Sequence, residues 1–148
     1  MENAGELSEL VKRVFASQRF AVLATQFEGQ PHSNLVAFAE ADDLRSLLFV
    51  TSRNTRKYSN TVANKKVALL IDSRVNQESD LNNAIAITAL GTIEEVAPDN
   101  KGYLSGIYLA KHPKLKDFLS KPSNAFMKVA VTEYIVASFE GVRHLRTG

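Results

Sequence analysis

Short apolar runs recur along this chain, and turn residues separate them. Such runs, and longer stretches in which apolar and polar residues alternate imperfectly, predict β-strands. The strands predicted in this way cover residues 20–25, 33–39, 47–51, 67–72, 84–96, 126–139 and 142–145. Turn chemistry follows the first of them at residues 28–31 and joins the last two at Glu140 and Gly141, and Gly91 is expected to mark a bulge or bend.

Helical spacing is confined to a few segments. An amphipathic first helix is predicted by apolar residues three and four positions apart, namely Leu7, Leu10, Val11, Val14 and Phe15. Thr55 is a candidate N-cap for a short helix over residues 56–64. Pro98 suits the first turn of a helix that reaches about residue 109, and residues 114–119 suit a further helical turn. Residues 74–83 are polar and are predicted to form a loop.

The order of these elements favours a mainly β (α+β) fold. Six or seven antiparallel strands with short flanking helices, and no alternation of strand with helix, argue against a parallel sheet and for a small barrel. A chain of 148 residues suits a single domain, so one domain over residues 1–148 is expected.

Composition excludes several kinds of chemistry. The absence of cysteine excludes disulfides, thiolate metal sites and a cysteine nucleophile. The net charge of +2 is too small to indicate a nucleic-acid partner. No apolar run approaches the roughly 20 residues that span a bilayer, and residues 1–10 carry glutamates without an apolar run. We therefore expect a cytoplasmic protein with neither a membrane nor a nucleic-acid partner.

The segment from Phe49 to Lys57 carries the clearest candidate binding chemistry. A predicted strand ends in Thr51 and Ser52, and a helix then begins with Arg56 and Lys57. The unpaired N–H groups of a helix start carry partial positive charge, to which hydroxyls and cations add further donors. The pattern suits a phosphate monoester. The same Arg-Lys pair is also common on solvated surfaces, and both interpretations stay open at the level of this segment.

Other polar residues do not form a recognisable acid–base or metal site. His32, His112 and His144 lack carboxylate partners at metal-ligand spacing. Glu94 and Glu95 are adjacent on a predicted strand and should point to opposite faces, so they cannot share a site.

Four aromatic residues have other expected roles. Tyr103 and Tyr108 are predicted to pack beneath the helix that follows Pro98. Phe118 and Phe126 flank a polar loop, where they are expected to cover either a cofactor mouth or a subunit seam.

Several short motifs occur in a fixed order along the chain, namely residues 29–39 (GQPHSNLVAFA), 48–51 (LFVT), 55–57 (TRK), 64–70 (NKKVALL) and 138–141 (SFEG). Together they resemble the pyridoxamine 5′-phosphate oxidase-like family of FMN-binding split β-barrels, over about residues 15–145. The resemblance implies a single split-barrel domain that binds FMN. It also implies a homodimer, because the family's cofactor site lies between two subunits.

The resemblance also implies which residues contact FMN. The second strand would lie along the flavin ring and bond its edge through the backbone of Asn34, Leu35, Val36, Ala37, Phe38 and Ala39. The end of the third strand would reach the ribityl chain and the phosphate through Val50, Thr51 and Ser52. Arg56 and Lys57 would hold the phosphate. Phe139 falls where the family's oxidases carry a tryptophan near the flavin of the partner subunit.

The sequence departs from the oxidase pattern at three points, and these departures bear on which activity is expected. Asn34 stands where the family has an arginine, Ala86 appears where it has a glutamine, and the full C-terminal substrate motif is missing after Leu145. These differences disfavour pyridoxamine phosphate oxidase activity, and the chain is more similar to short general-stress and flavin-reductase-like members.

We expect an FMN-dependent oxidoreductase that acts on a small molecule, with an electron donor such as NAD(P)H and no catalytic side chain. The alternatives are a flavin carrier, buffer or sensor without turnover, and a relative that uses deazaflavin. A further alternative is a relative that binds haem through a late histidine such as His144.

Overall fold

A computed structural model describes residues 3–147, and Met1, Glu2 and Gly148 of the predicted domain lie outside this part. The helices are α1 (Ala4–Ser17), α2 (Arg56–Ala63), α3 (Asp80–Asn83), α4 (Lys101–Lys111) and α5 (Lys116–Ser120), with a 3-10 turn at Pro113–Leu115. The strands are β1 (Phe20–Phe27), β2 (Gln30–Ala37), β3 (Ala39–Glu40), β4 (Ser46–Ser52), β5 (Lys66–Asp72), β6 (Ala86–Glu95), β7 (Asn124–Ser138) and β8 (Gly141–Arg146).

The strands form one curled antiparallel sheet in the order β2-β1-β5-β6-β7-β4-β3, and β8 also pairs with β7. The predicted mainly β, split-barrel fold is confirmed. Among residues 3–147 the sheet has eight strands rather than six or seven. The difference arises because the predicted strand over residues 33–39 breaks at Phe38.

The break at Phe38 moves the chain from one half of the barrel to the other. Ala37 pairs with Phe20 of β1, whereas Ala39 pairs with Leu48 of β4. The Phe38 side chain is fully buried between the two halves. Burial of this ring accounts for the interruption, since a strand that continued straight would have stayed with one neighbour.

Local turn chemistry behaves as the sequence predicts at two positions. Glu28 and Gly29 both have positive φ, 51° and 83°, which is the conformation of a two-residue hairpin between β1 and β2. The register of β6 against β7 shifts at Gly91, where Thr132 is the extra residue of the bulge. Pro31 lies inside β2 rather than ending it, and an edge strand tolerates the missing N–H.

Two hydrophobic clusters fill the interior. In the larger one, α1 packs Val11 and Phe15 against the sheet. In the smaller one, Leu48, Tyr108 and Phe126 meet beneath α4. Phe126 is therefore a core residue and does not cover an opening, because its ring packs against Tyr108 with centroids 5.6 Å apart.

Two helix predictions need correction. Residues 98–100 form a turn, so α4 begins at Lys101, beyond Pro98. Tyr103 of α4 is 77% exposed rather than packed. The predicted loop over residues 74–83 contains α3, and the Asp80 carboxylate at the start of this helix accepts the backbone N–H groups of residues 75–77. These hydrogen bonds lower the pKa of Asp80, the bond from Val75 most strongly.

Within residues 3–147, none of the helices combines the length and the apolar character that crossing a bilayer requires.

Candidate functional site

A split between β2 and β4 opens the barrel on one side. β2 ends the sheet and pairs only with β1, and β4 pairs with β3 only at Leu47 and Leu48. Within the described chain, β4 from Phe49 to Ser52 therefore has no strand partner on the side facing β2. The two edges lie close together without pairing. Unpaired strand edges present N–H and C=O groups that need partners, and a polar ligand can supply them.

A groove of about 250 Å³ occupies this split. Its lining comes from both edges, from the start of α2, and from the segment α4–α5, and consists of Leu35, Val36, Ala37, Val50, Thr51, Ser52, Lys57, Tyr108, Leu115 and Phe118. We call it the split groove. Most of these side chains are apolar, whereas Thr51, Ser52 and Lys57 contribute hydroxyls and an ammonium group where β4 leads into α2.

The polar end of the split groove is the junction between β4 and α2. Thr55 caps the helix, as predicted, and its Oγ1 accepts the N–H of Tyr58 at 3.3 Å. The Thr51 and Thr55 hydroxyls are 3.3 Å apart. Lys57 is half-buried, and no hydrogen bond or ion pair engages its ammonium within residues 3–147. A cation without a partner, beside two hydroxyls and a helix start, suits a phosphate group.

Arg53 belongs to the same basic segment but has a structural role. Its guanidinium forms two hydrogen bonds of 2.7 Å with the Glu95 carboxylate and one of 3.1 Å with the Tyr58 hydroxyl. The Glu95 carboxylate raises the pKa of Arg53, and the guanidinium in turn lowers the pKa of Glu95. This contact ties the loop before α2 to the end of β6, so Arg53 is not available to a ligand.

Arg56 and Lys57 face different grooves. Arg56 is exposed and lines a second groove of about 400 Å³ with Phe27, His32 and Ser59. The separation follows from helix geometry, because consecutive residues are about 100° apart around the axis. Lys57 therefore shares the split groove with Thr51 and Ser52, whereas Arg56 lines the second groove.

The other residues that the resemblance implies as FMN contacts lie in different parts of the fold. Asn34 is exposed on β2. The side chains of Phe38 and Ala39 are in the core. Phe139 lies just beyond β7, is 76% exposed, and lines a separate apolar groove of about 460 Å³. Within one chain, then, Phe139 and the split groove are apart.

Tyr108, Leu115 and Phe118 also line the split groove. Of these three, only Phe118 was expected near a cofactor, as one of two alternatives. Tyr108 was expected to pack beneath its helix, and it does, but its hydroxyl also donates to the Ala37 carbonyl at 2.8 Å. Burial raises the pKa of this phenol. The two residues are 71 positions apart, so no local signal predicts the bond. Phe118 lines the split groove, and its expected role at a cofactor mouth or at a subunit seam stays a prediction.

The convex side of the sheet carries a continuous apolar surface. Strand register aligns Leu35, Val22, Leu70, Thr88, Ile135 and His144 in one row across the sheet. Phe20, Ala68, Leu90, Ala137 and Val142 extend this row above and below, and none of these residues is buried. We call the whole set the outer sheet face. Contiguous apolar patches of this kind mark interaction sites.

His144 stands at the edge of this face and is oriented by a carboxylate. Its Nδ1 is 2.9 Å from Glu133 Oε2. A hydrogen bond at Nδ1 leaves Nε2 as the nitrogen that is able to ligate a metal.

Comparison with known proteins agrees with the fold. Residues 7–136 match the sequence profile of the family described as Pyridoxamine 5′-phosphate oxidase. A Schizosaccharomyces pombe protein named as a pyridoxamine 5′-phosphate oxidase homolog is 29% identical over 133 residues, which cover 80% of this chain and 69% of that protein.

Two solved structures share the architecture. A heme binding protein from Mycobacterium smegmatis superposes with a TM-score of 0.82 at 15% identity, over 99% of this chain and 59% of that protein's chain. General Stress Protein 26 from Bacillus anthracis superposes with a TM-score of 0.72 at 20% identity, over 95% and 98% of the two chains. Since the profile match covers most of the chain, this protein belongs to the pyridoxamine 5′-phosphate oxidase family.

Proposed function

We propose that the split groove binds FMN and that the protein is a flavoprotein of the oxidoreductase class that acts on a small molecule. The observation that carries the proposal is the pair of unpaired strand edges, which meet beside a helix start that holds a cation without a partner. A flavin has the matching chemistry: a flat ring with polar edges for the strands, apolar faces for Leu35 and Phe118, and a phosphate for Lys57.

The phosphate would be held at the start of α2. Thr51, Ser52 and the N–H groups of α2 offer donors, and Lys57 offers a charge. Arg56 is the second cation in this proposal, because it is the first residue of the same helix and has a long side chain. A charge-assisted hydrogen bond contributes about 1.5–3 kcal/mol, which corresponds to roughly 10- to 150-fold in affinity. The two cations would therefore determine much of the preference for a phosphorylated flavin.

The ring would lie along β2, with Val50 at the opposite edge. Asn34, Leu35, Val36 and Ala37 would present their backbone to it, whereas Phe38 and Ala39 would hold the strand in place from within the core. When bound, FMN supplies the hydride and electron transfer, and the protein supplies binding, orientation and exclusion of water. This division of roles is consistent with a site that lacks an acid–base pair.

Two copies would complete the site. The split groove, at about 250 Å³, is smaller than typical ligand pockets of about 300–1,000 Å³, so a flavin ring would extend beyond it. Leu35 at the rim is 68% exposed and belongs to the outer sheet face. We infer that a second copy packs on this face, and that Phe139 of one copy then lies near the FMN of the other.

We propose that the substrate is a molecule other than pyridoxamine phosphate. Among the described residues, the apolar groove that Phe139 lines offers no free charge for a phosphate, since Arg74 is paired with Asp72 at 3.0 Å and Asp80 is bonded to backbone N–H groups. Together with Asn34 and Ala86, this favours a neutral, largely apolar substrate. NAD(P)H as the electron donor stays a prediction.

The first experiment is the visible spectrum of the freshly purified protein, with mass analysis of the released ligand. Flavin bands and the mass of FMN are expected. A deazaflavin band would point to that cofactor instead. A yellow protein that does not accelerate NAD(P)H oxidation, in air or with an added acceptor, would favour a carrier or sensor.

The phosphate site is tested by titrating flavin-free protein with FMN and with riboflavin. Lys57→Ala and Arg56→Ala should each weaken FMN binding by roughly 10-fold or more, because each removes one charged contact. Riboflavin should bind wild type poorly and respond little to either change. Lys65→Ala, which removes an exposed lysine just beyond the same helix, is the matched control. Equal affinity of wild type for FMN and riboflavin would contradict the proposal.

Haem binding is the second candidate, and the His144–Glu133 pair favours it. A histidine oriented through Nδ1 on an apolar surface would be able to ligate a haem iron through Nε2. The structural similarity to a heme binding protein from Mycobacterium smegmatis points the same way. The same spectrum separates the two candidates, because haem gives an intense Soret band that flavins lack.

A further inference from the structure

Side chains at the C-terminal end of α4 are hydrogen-bonded to the backbone where β2 ends and β3 begins. The Tyr108 hydroxyl donates to the Ala37 carbonyl at 2.8 Å, and His112 Nε2 lies 2.6 Å from the Phe38 carbonyl. Both side chains are buried, and their rings are 5.1 Å apart. One helix end therefore engages two successive carbonyls of the strand that borders the split groove.

These two bonds replace ladder hydrogen bonds that the break at Phe38 removes. On one side of the break the Phe38 N–H donates to the Arg19 carbonyl, and on the other Ala39 joins β4. An unpaired buried carbonyl would cost free energy. Tyr108 and His112 satisfy the two carbonyls and tie them to the end of α4.

Tyr108 also connects the junction to the opposite wall. Its ring packs edge-on against Phe126 of β7, which is paired with Val50 of β4. The same ring lines the split groove. α4 thus contacts the β2 side through a hydrogen bond and the β4 side through packing, and the distance between the two strand edges depends on it.

We propose that Tyr108 and His112 are positioning residues that hold the β2–β3 junction and thereby set the width of the split groove and the environment of the flavin ring. The inference rests on the proposed FMN site and adds two residues that act through Ala37 and Phe38. Neither residue was assigned a binding role by sequence or by resemblance.

The decisive comparison is Tyr108→Phe against Tyr134→Phe. Each change removes one buried hydroxyl that donates to a backbone carbonyl, since Tyr134 bonds Leu44 at 2.7 Å in the core. Both variants should lower the melting temperature by similar amounts. Only Tyr108→Phe should weaken FMN binding, by about 2- to 12-fold for one neutral hydrogen bond, and shift the visible band and reduction potential of bound FMN.

A second pair of variants tests His112. Glutamine carries an N–H donor at a similar reach, whereas leucine has none. His112→Gln should keep the wild-type FMN affinity and spectrum, and His112→Leu should weaken binding as Tyr108→Phe does. In flavin-free protein, amide exchange over residues 37–40 should accelerate in Tyr108→Phe and not in Tyr134→Phe.

The outcomes separate this inference from the proposed function. Wild type that binds FMN, with the same affinity and spectrum in Tyr108→Phe as in Tyr134→Phe, would overturn the inference and leave the FMN site intact. Wild type that binds no flavin would overturn the FMN site and the inference with it.

Discussion

Three cations close together in the sequence have three different environments in the fold. Arg53 is hydrogen-bonded to several groups, principally the Glu95 carboxylate. Lys57 lines the split groove, whereas Arg56 lines the second groove with Phe27 and His32. All three are long basic side chains within five positions of one another, so the partner across the fold decides which of them is able to bind an anion. Arg53 shapes the site indirectly, because it anchors the loop that leads into α2.

The Arg53–Glu95 contact predicts an acid-dependent component of stability. Because Arg53 lowers the pKa of Glu95 in the folded state, the carboxylate contributes stability above its unfolded pKa of about 4.3. That contribution is lost as the pH falls toward the folded value. Glu95→Gln should therefore lower the free energy of unfolding at pH 7, and its difference from wild type should shrink below about pH 4.

Urea unfolding at a series of pH values measures this difference. Glu94→Gln is the control, because Glu94 makes only a surface pair with Lys128 and such pairs contribute little. A gap between wild type and Glu95→Gln that stays constant from pH 7 to acid would contradict the assignment.

Among the elements, the paired strands β6 and β7 carry the bulge at Gly91 that bends the sheet. The bulge places the Ala130 carbonyl directly over this residue, where a Cβ atom would overlap the oxygen and come within 2.8 Å of Val129 Cγ1. Glycine is needed here for close approach of the backbones, since its φ is not positive. A bulge increases local twist and bends the strand, which helps the sheet to curl into a barrel.

Gly91→Ala should lower the free energy of unfolding by about 1–3 kcal/mol, as overpacking does in other cores. Gly106→Ala on α4 is the matched control, because its Cβ would meet no atom within 4 Å. A glycine in mid-helix costs roughly 0.5–1 kcal/mol relative to alanine, so the control should be stabilised. Denaturant titration of both variants gives the comparison, and equal signs for the two changes would refute the close-approach explanation.

At the scale of the whole molecule, the outer sheet face and the split groove are parts of one surface. Leu35 belongs to both, because it stands on the edge strand of the face and at the rim of the groove. A second copy that covers the face would therefore also enclose the ring of a bound flavin. Dimerisation and cofactor binding are then expected to depend on each other.

Leu70→Glu places a charge in the central row of the outer sheet face. A buried, unpaired charge costs about 3–5 kcal/mol, so the dimer dissociation constant should rise by about 100-fold or more. Tyr103→Glu, at an exposed aromatic residue on α4 outside the outer sheet face, should leave the dimer unchanged. Sedimentation equilibrium with and without FMN measures both. A monomeric wild type, or a dimer that withstands Leu70→Glu, would count against this interface.

Elements defined by local chemistry were predictable from the chain. Thr55 caps α2 as expected, since a hydroxyl that accepts an N–H three residues later is a local interaction. Glu28 and Gly29 turn the first hairpin for a similar reason. Positions whose environment depends on distant residues were not predictable: Tyr103 is exposed and Tyr108 is buried, although both follow the same helical spacing.

The amino-acid sequence by itself determined the approximate positions of most strands and helices, the antiparallel arrangement of the strands, and the closeness of hydroxyls and cations along the chain at the start of α2. Only the tertiary structure decided that β2 and β4 leave facing edges unpaired, that Arg53 is bonded to Glu95, and that the end of α4 is hydrogen-bonded to the β2–β3 junction. The reason is distance along the chain. Periodicity and capping involve neighbours a few residues apart, whereas these contacts join residues 42 and 71 positions apart, and only the completed barrel brings them together.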